Sequence, residues 1–403
     1  MHVVFAVHDA ASQGAVMSVT QRQAEFLARE GDRVTLVSNR MPILSWKGVE
    51  VIRDPCPRHV GRGARLGSRL VSYSGRLKFP RGWPLMDFGR VVEQLDTLRL
   101  IERVLPDIHS RGAIHVCICC QHTMAQALDR FRRITGVGFA LVSHGDVFSH
   151  PLTAFSLPLR SFYRRAAVHA YRKADKVYSV SRDLEKVALA RGCRIDRSFY
   201  IPNGIDPEEI GWPPVRSVVR GRAFRLLCVG RLSPEKGHEH AVAALQWLQD
   251  IDVELILVGE GPCGARLRDM AARLQVMDRC VFVGSVARTE LGAHYACADI
   301  FLQPSLSEGM PLTVLEAMMC GVPVVASKVG GIPDLVTQGV EGVLVPPGSA
   351  RHLADAVRSL LGKRERLDTM KLRAAEAGMK QRWDPLLSVW RADLASAFTP
   401  AFV

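Results

Sequence analysis

No apolar run in this 403-residue sequence approaches the roughly 18–20 residues that a bilayer-spanning helix needs. The opening Met1-His2-Val3-Val4-Phe5-Ala6-Val7 has no basic stretch before it, and its apolar run stops at His8-Asp9. It reads as a first strand, not as a secretory signal. Zinc-ligand spacing is missing too. Of the ten cysteines, Cys117, Cys119 and Cys120 share one apolar run, whereas a metal site needs ligands converging from separate elements. Buried reduced thiols in a cytoplasmic chain are the expectation. His8, His144, His238 and His240 lie in no zinc-binding helical context, and no nucleophile elbow accompanies them. What is present is an apolar fraction of 48% with 33 Gly and 22 Pro, an ordinary globular composition at a length that suits two domains.

The net charge of +13 is unevenly spread. Residues 1–200 hold 31 Lys and Arg against 17 Asp and Glu, and residues 201–403 hold 22 against 23. Within the first half, residues 53–81 carry eight basic side chains and one acid (Asp54), in the company of Tyr73, Phe79 and Trp83. Arg160, Arg164, Arg165, Arg172, Lys173 and Lys176 form a second run. One-sided charge of this kind attracts an anionic partner, and an arginine-rich solvated helix face is the plainer alternative for either run.

Short apolar runs alternate with helical stripes along the chain. In the first half, strands are expected at 3–7, 34–38, 114–119, 139–143, 176–180 and 198–201, with a helix over 16–29 closed by Gly31. Residues 41–87 show no clean period and read as a long functional loop. After Pro202-Asn203-Gly204-Ile205-Asp206 comes a break containing Pro207, Gly211, Pro213 and Pro214. A fresh series follows, with strands at 224–229, 253–258, 280–283, 300–303 and 322–326. Helices at 238–249, 265–275, 288–296 and 311–320 separate them, and the tail 381–398, with Trp383 and Trp390, is helical. Such spacing implies parallel sheets with right-handed crossovers. The fold class expected is α/β, with two doubly wound Rossmann-like domains facing across a cleft. They span residues 1–204 and 205–380, and a C-terminal helix within 381–403 crosses back to the first.

Two motifs carry chemistry. Val229-Gly230-Arg231-Leu232-Ser233-Pro234-Glu235-Lys236-Gly237-His238 follows a strand and opens a helix, where α/β folds take their ligands. Arg231 offers a bidentate fork and Lys236 a point charge, a pair suited to a diphosphate; two solvated cations on a basic loop are the plain alternative. In Ser307-Glu308-Gly309-Met310-Pro311-Leu312-Thr313-Val314-Leu315-Glu316, the proline suits a first helical turn, and the N–H groups from Gly309 to Thr313 make an anion site. An acid in front of a phosphate-binding helix end makes sense if Glu308 grips uncharged hydroxyls; a capping acid and a solvated helical Glu316 are the alternative. Gly259-Glu260-Gly261-Pro262-Cys263-Gly264 fits the dinucleotide fingerprint literally. It lies in the second βα unit of its domain, contains a proline and lacks the later acid, so a tight turn suffices.

Taken in order, these motifs resemble family 4 glycosyltransferases, the large retaining class (glycosyltransferase group 1) with the two-Rossmann GT-B fold. The likeness covers Ile201-Pro202-Asn203-Gly204-Ile205-Asp206, the Arg231/Lys236 loop, Val258-Gly259-Glu260-Gly261-Pro262, Phe282-Val283-Gly284 and the Glu308/Glu316 element. It continues through residues 321–327, Val329-Gly330-Gly331-Ile332-Pro333-Asp334 and Gly342-Val343-Leu344-Val345. In the first half it is carried by Ser143-His144-Gly145-Asp146 and Ser179-Val180-Ser181.

The resemblance implies an acceptor-binding first domain and a nucleotide-sugar-binding second one. Arg231 and Lys236 would hold the donor diphosphate, Glu308 would contact hydroxyls of the transferred sugar, and the backbone of Gly309, Met310, Pro311 and Leu312 would touch sugar and phosphate. Glu316 would bond the ribose, and His144 would reach the donor sugar. The loop after the first strand approaches donor phosphate and acceptor in the family, here through Gln13, Gly14 and Ala15; only Gly14 remains of the family's paired glycines. No cofactor is implied, the UDP- or GDP-linked sugar being a substrate, and no divalent metal.

The reaction expected is transfer of a hexose-type sugar, with retention, to a lipid-linked, anionic or saccharide acceptor in polysaccharide, lipopolysaccharide or glycolipid synthesis. Residues 53–81 would lie peripherally on an anionic membrane. A nucleotide-sugar epimerase or a phosphorylase on the same fold remains an alternative. So does nucleic-acid binding, for which only the charge speaks.

Overall fold

A computed structural model describes residues 1–7, 15–38, 46–53, 85–145, 157–211 and 223–398. The chain divides into two compact units, one of Met1–Ser179, Glu185–Phe199 and Val389–Val403, the other of Val180–Leu184 and Tyr200–Ser388.

In the first unit, strands β1 (His2–Val7), β2 (Arg33–Ser38), β3 (Val49–Arg53), β4 (Val116–Cys119), β5 (Gly138–Ser143), β6 (Lys176–Ser179) and β7 (Ser198–Tyr200) form one sheet in the order β3-β2-β1-β4-β5-β6-β7. The pairs from β3 to β6 are parallel. Helices α1 (Ala15–Arg29), α2 (Leu85–Arg111), α3 (Ala125–Thr135), α4 (Leu157–Lys173) and α5 (Arg182–Ala190) alternate with the strands, although the first residues of α5 group with the second unit. Every residue of β1 is buried, as a strand covered by helices on both faces requires. The core joins Val4, Ala6, Cys117 and Phe139 of the sheet to Ile101, Leu105, Leu128 and Ala170 of the helices. Cys117, Cys119 and Cys120 are buried free thiols, and burial pushes the Cys120 thiol up to about 11.

Residues 41–87 are not one loop. They contain β3, which pairs with β2 through Val51 opposite Leu36, and they run into the first residues of α2. A five-residue strand is too short to show a period, and the sequence of α2 has no single apolar stripe and carries Pro106 inside. The rest of the basic run, residues 54–81 with Tyr73 and Phe79, and the following Trp83, lies outside the described residues.

The second unit holds β8 (Phe224–Val229), β9 (Val253–Val258), β10 (Cys280–Gly284), β11 (Ile300–Gln303), β12 (Val324–Ser327) and β13 (Gly342–Val345). They form a sheet of order β10-β9-β8-β11-β12-β13, parallel throughout. Its helices are α6 (His238–Ala244), α7 (Gly264–Arg273), α8 (Leu291–Cys297), α9 (Leu312–Met319), α10 (Ile332–Leu335), α11 (Ala350–Leu361), α12 (Arg364–Lys380) and the start of α13 (Trp383–Phe398). The helix expected over 238–249 stops at Ala244, and a 3-10 turn, Leu245–Trp247, carries the chain on. The strand expected from 322 begins at Val324, because the Val322 N–H closes α9 on the Ala317 carbonyl. In the later part of α13, Trp390 is buried edge-on to Tyr178, while Lys176 Nζ and Tyr178 Oη donate to Asp393 at 3.0 and 2.7 Å.

Candidate active site

The loops that leave β8 and β9 lie side by side at the carboxyl edge of the second sheet. Gly230 N–H donates to the Val258 carbonyl, Leu232 N–H to that of Glu260, and Cys263 N–H to that of Leu232, at 2.8–2.9 Å. Gly259 and Gly261 are there because a Cβ at either would strike the carbonyl oxygen of Gly230 or Leu232. The literal dinucleotide fingerprint is therefore explained by one loop's approach to its neighbour.

The next turn sets the chemistry. A 3-10 turn, Pro234–Lys236, ends at Gly237 in a left-handed conformation (φ 62°), where a side chain would collide with the Pro304 carbonyl. Leu306 N–H donates to the Glu235 carbonyl at 2.8 Å. The loop after β8 is thus fastened to the loop after β11, and Lys236 meets Glu308 as a result: Nζ lies 2.7 Å from Oε1. The same oxygen accepts from Gln303 Nε2 and from Ser305 Oγ, each at 2.7 Å. The Glu308 side chain is only 8% exposed. Arg231, two residues beyond the end of β8, is exposed with its guanidinium on the same loop.

Beyond Glu308 the backbone is held from two sides. Gly331 N–H donates to the Gly309 carbonyl at 2.8 Å, and the Asn203 side-chain amide donates to that of Met310 at 2.9 Å. Pro311, in extended conformation, precedes α9, and no side chain caps that helix start. The side chains of Met310 and Leu312 are buried, which leaves their backbone as the part able to meet a ligand.

Glu316, on α9, is 1% exposed and not solvated. Tyr295 Oη donates to its Oε2 at 2.8 Å, and Arg288 Nη2 lies 3.0 Å from its Oε1. Arg288 also reaches Glu209 through Nε at 2.9 Å. Burial raises the Glu316 pKa, against the opposing pull of the Arg288 charge and the Tyr295 hydrogen bond.

His144, in the first unit, directly follows Ser143 at the end of β5. Its Nε2 is buried without a hydrogen-bond partner among the described residues, and burial, aided by nearby His122, lowers its pKa to about 4. The ring is neutral at pH 7. Behind it, Tyr171 Oη lies 3.1 Å from His122 Nε2 and 3.2 Å from Ser143 Oγ. Gln13 and Gly14 lie outside the described residues, and Ala15 is the first residue of α1. Among the described residues, no group of three or more His, Cys, Asp or Glu is placed to hold a metal ion.

Sequence reasoning named Lys236, Glu308 and Glu316 but missed their partners Gln303, Ser305, Arg288 and Tyr295. One signal was available: Gln303 is a polar residue closing an otherwise apolar strand, Ile300-Phe301-Leu302, where a buried side chain must find partners.

The family model for glycosyl transferases group 1 matches residues 216–377, and that for the glycosyl transferase 4-like domain matches residues 14–204. The chain belongs to the group 1 glycosyl transferases. A GDP-mannose-dependent alpha-(1-6)-phosphatidylinositol monomannoside mannosyltransferase of Mycobacterium tuberculosis is 36% identical over 203 residues, 46% of this chain and 53% of that protein. The chain thus matches about half the length of that curated relative. An alpha-D-kanosaminyltransferase of Streptomyces kanamyceticus is 26% identical over 83% of this chain and 92% of its own length. Among solved structures, sucrose-phosphate synthase from Thermosynechococcus elongatus superposes with a TM-score of 0.76 at 21% identity, covering 98% of this chain and 99% of that one. At that identity the likeness is one of fold, and the fold of this group 1 glycosyl transferase is GT-B, two Rossmann-like α/β units.

Proposed function

We propose that the chain transfers a hexose-type sugar from a UDP- or GDP-linked donor to a lipid-linked or saccharide acceptor, with retention of anomeric configuration and without a divalent metal. The observation that carries the reading is the 2.7 Å meeting of Lys236 and Glu308 beside an uncapped helix start. A cation and a carboxylate at one point suit a ligand that is anionic at one end and hydroxylated at the other. Arg231 and Lys236 take the diphosphate and stabilise its charge as the nucleotide leaves, assisted by the backbone from Gly309 to Leu312. Glu308 holds the sugar. Glu316 retains free lone pairs beside Tyr295 and Arg288 and accepts from the ribose. Attack occurs on the face the nucleotide leaves, with the departing phosphate oxygen accepting the acceptor's proton, so no protein nucleophile is required. The role that the family resemblance gives His144, contact to the donor sugar, suits a neutral ring able to donate or accept.

The mannosyltransferase relative, named for GDP-mannose, makes GDP-mannose the first donor to try. A glycolipid or cell-surface polysaccharide is the proposed product class. Arg160, Ser161, Arg164, Arg165 and Val168 of α4 line a cavity of about 370 Å³, a basic surface suited to an anionic acceptor or to peripheral seating on an anionic membrane from the cytoplasmic side.

A thermal-shift screen of UDP, GDP, ADP and their sugars tests the donor, because a ligand that binds only the native state raises its melting point. One sugar nucleotide should stabilise the protein, and its turnover should require acceptor, retain configuration and survive EDTA. Conversion of the donor alone would point to an epimerase. Strict EDTA inhibition would remove the metal-independent reading.

A further inference from the structure

We propose that Gln303 and Thr313 are positioning residues that lock Oε1 of Glu308, so that Oε2 alone receives the hydroxyl groups of the transferred sugar; this rests on the donor reading above. An ionised carboxylate can only accept, so the Gln303 amide must turn its NH2 towards Glu308, and its carbonyl then faces Thr313. Thr313 Oγ1 donates to Gln303 Oε1 at 3.1 Å. Gln303 is 3% exposed at the end of β11, and Thr313 lies in the first turn of α9. The angle of the carboxylate is therefore referred to a strand and a helix, and not only to the loops carrying Lys236 and Ser305.

Three donors at 2.7 Å crowd one oxygen that has two lone pairs. No fourth donor has room there. Among the described residues none donates to Oε2. Two neighbouring sugar hydroxyls consequently cannot straddle the carboxylate, one on each oxygen; they must converge on Oε2 or use it singly. Removing the Gln303 amide would reopen Oε1 and let the carboxylate turn, which loosens the grip on the sugar while leaving the nucleotide contacts alone.

Calorimetry on the full chain with GDP, GDP-mannose, UDP and UDP-glucose tests this. In Gln303→Leu, the affinity for the bound sugar nucleotide, relative to its nucleoside diphosphate, should fall about tenfold, the size of one hydrogen bond to a charged group. The affinity for the nucleoside diphosphate itself should stay within about twofold, which also shows that the fold survives. Thr313→Val should show the same selective loss to a smaller degree, and Thr313→Ser should restore wild-type behaviour. If neither variant changes the ratio, or if both ligands weaken together, the proposal is overturned. Should Gln303→Leu fail to fold, the Thr313 pair decides. Glu308→Ala separates the two levels: if it leaves the ratio unchanged, the donor reading itself fails, and if it abolishes the ratio while Gln303→Leu does not, only the positioning role fails.

Discussion

The candidate site residues of the two units are held differently. In the second, Lys236, Gln303 and Ser305 converge on one atom of Glu308, and Arg288 and Tyr295 take one carboxylate oxygen each of Glu316. In the first, His144 keeps an unpartnered Nε2 among the described residues, and a hydrogen-bonded chain of His122, Tyr171 and Ser143 includes the residue before it. The second unit is built around fixed acceptors whose geometry is set before any ligand arrives. The first offers a neutral ring whose Nε2 has no partner among the described residues. Preorganised groups are the ones whose removal costs most at the transition state.

The largest expected effect follows from that contrast. Glu308→Ala should lower kcat/KM by roughly 10²–10³-fold, the range found when a preorganised polar group is taken from a reacting centre. Binding of the nucleoside diphosphate should survive. His144→Ala should cost less, because no hydrogen bond from the described residues to its Nε2 is lost with it. Steady-state kinetics on both variants settles the order, and a Glu308 variant with undiminished turnover would remove the site from the second unit.

Why the second unit was the easier to read is a matter of where each kind of information lies. Its strands are largely apolar runs of four to six residues separated by glycine and proline punctuation, and they alternate with helices regularly enough to show in the sequence. Lys236 and Glu308 were legible one at a time, each at a loop with a known use. Their meeting was not, since it depends on Leu306 bonding to Glu235 across 71 residues, and no local pattern records that. The partners of Glu316 were hidden for the same reason. Arg288 in a 3-10 turn resembles any surface arginine until Glu209 and Glu316 close on it. In the first unit, β3 and α2 escaped notice because one is short and the other lacks a single apolar stripe.

Under acid the two units should respond alike. Each contains one histidine that burial holds at a pKa of about 4 against an ordinary 6.5: His144 in the first and His238, at the start of α6, in the second. The unfolded chain binds protons at these positions before the folded one does. Stability therefore rises with pH between about 4 and 6.5, is fully present above that window, and is lost as the pH falls through it. Melting curves from pH 7 to pH 4 should show a steep decline, and His238→Asn should flatten it. If His238→Asn melts with the same pH slope as the parent, the buried neutral state of His238 is wrong.

The smallest effect concerns the pair that connects Glu316 to the segment following Ile205. The Arg288 side chain is 35% exposed and that of Glu316 is 2% exposed. Removing one partner of a fully buried ion pair costs roughly 3–5 kcal/mol, because the other charge is left without compensation; the partial exposure of Arg288 brings the expectation for Arg288→Met to about 2 kcal/mol. The sign of the accompanying pH effect is fixed by the same geometry. Burial already raises the pKa of Glu316, and the Arg288 charge is the main influence holding it down. Without that cation the carboxyl takes up its proton at a higher pH, so the acid limb of donor binding should move upward. Restoring the charge with Arg288→Lys should recover the pH profile but not all of the stability, since an ammonium cannot span both Glu209 and Glu316 as the guanidinium does. A donor-binding profile indifferent to Arg288→Met would mean that Glu316 only supports the helix, and would take the ribose contact away from it.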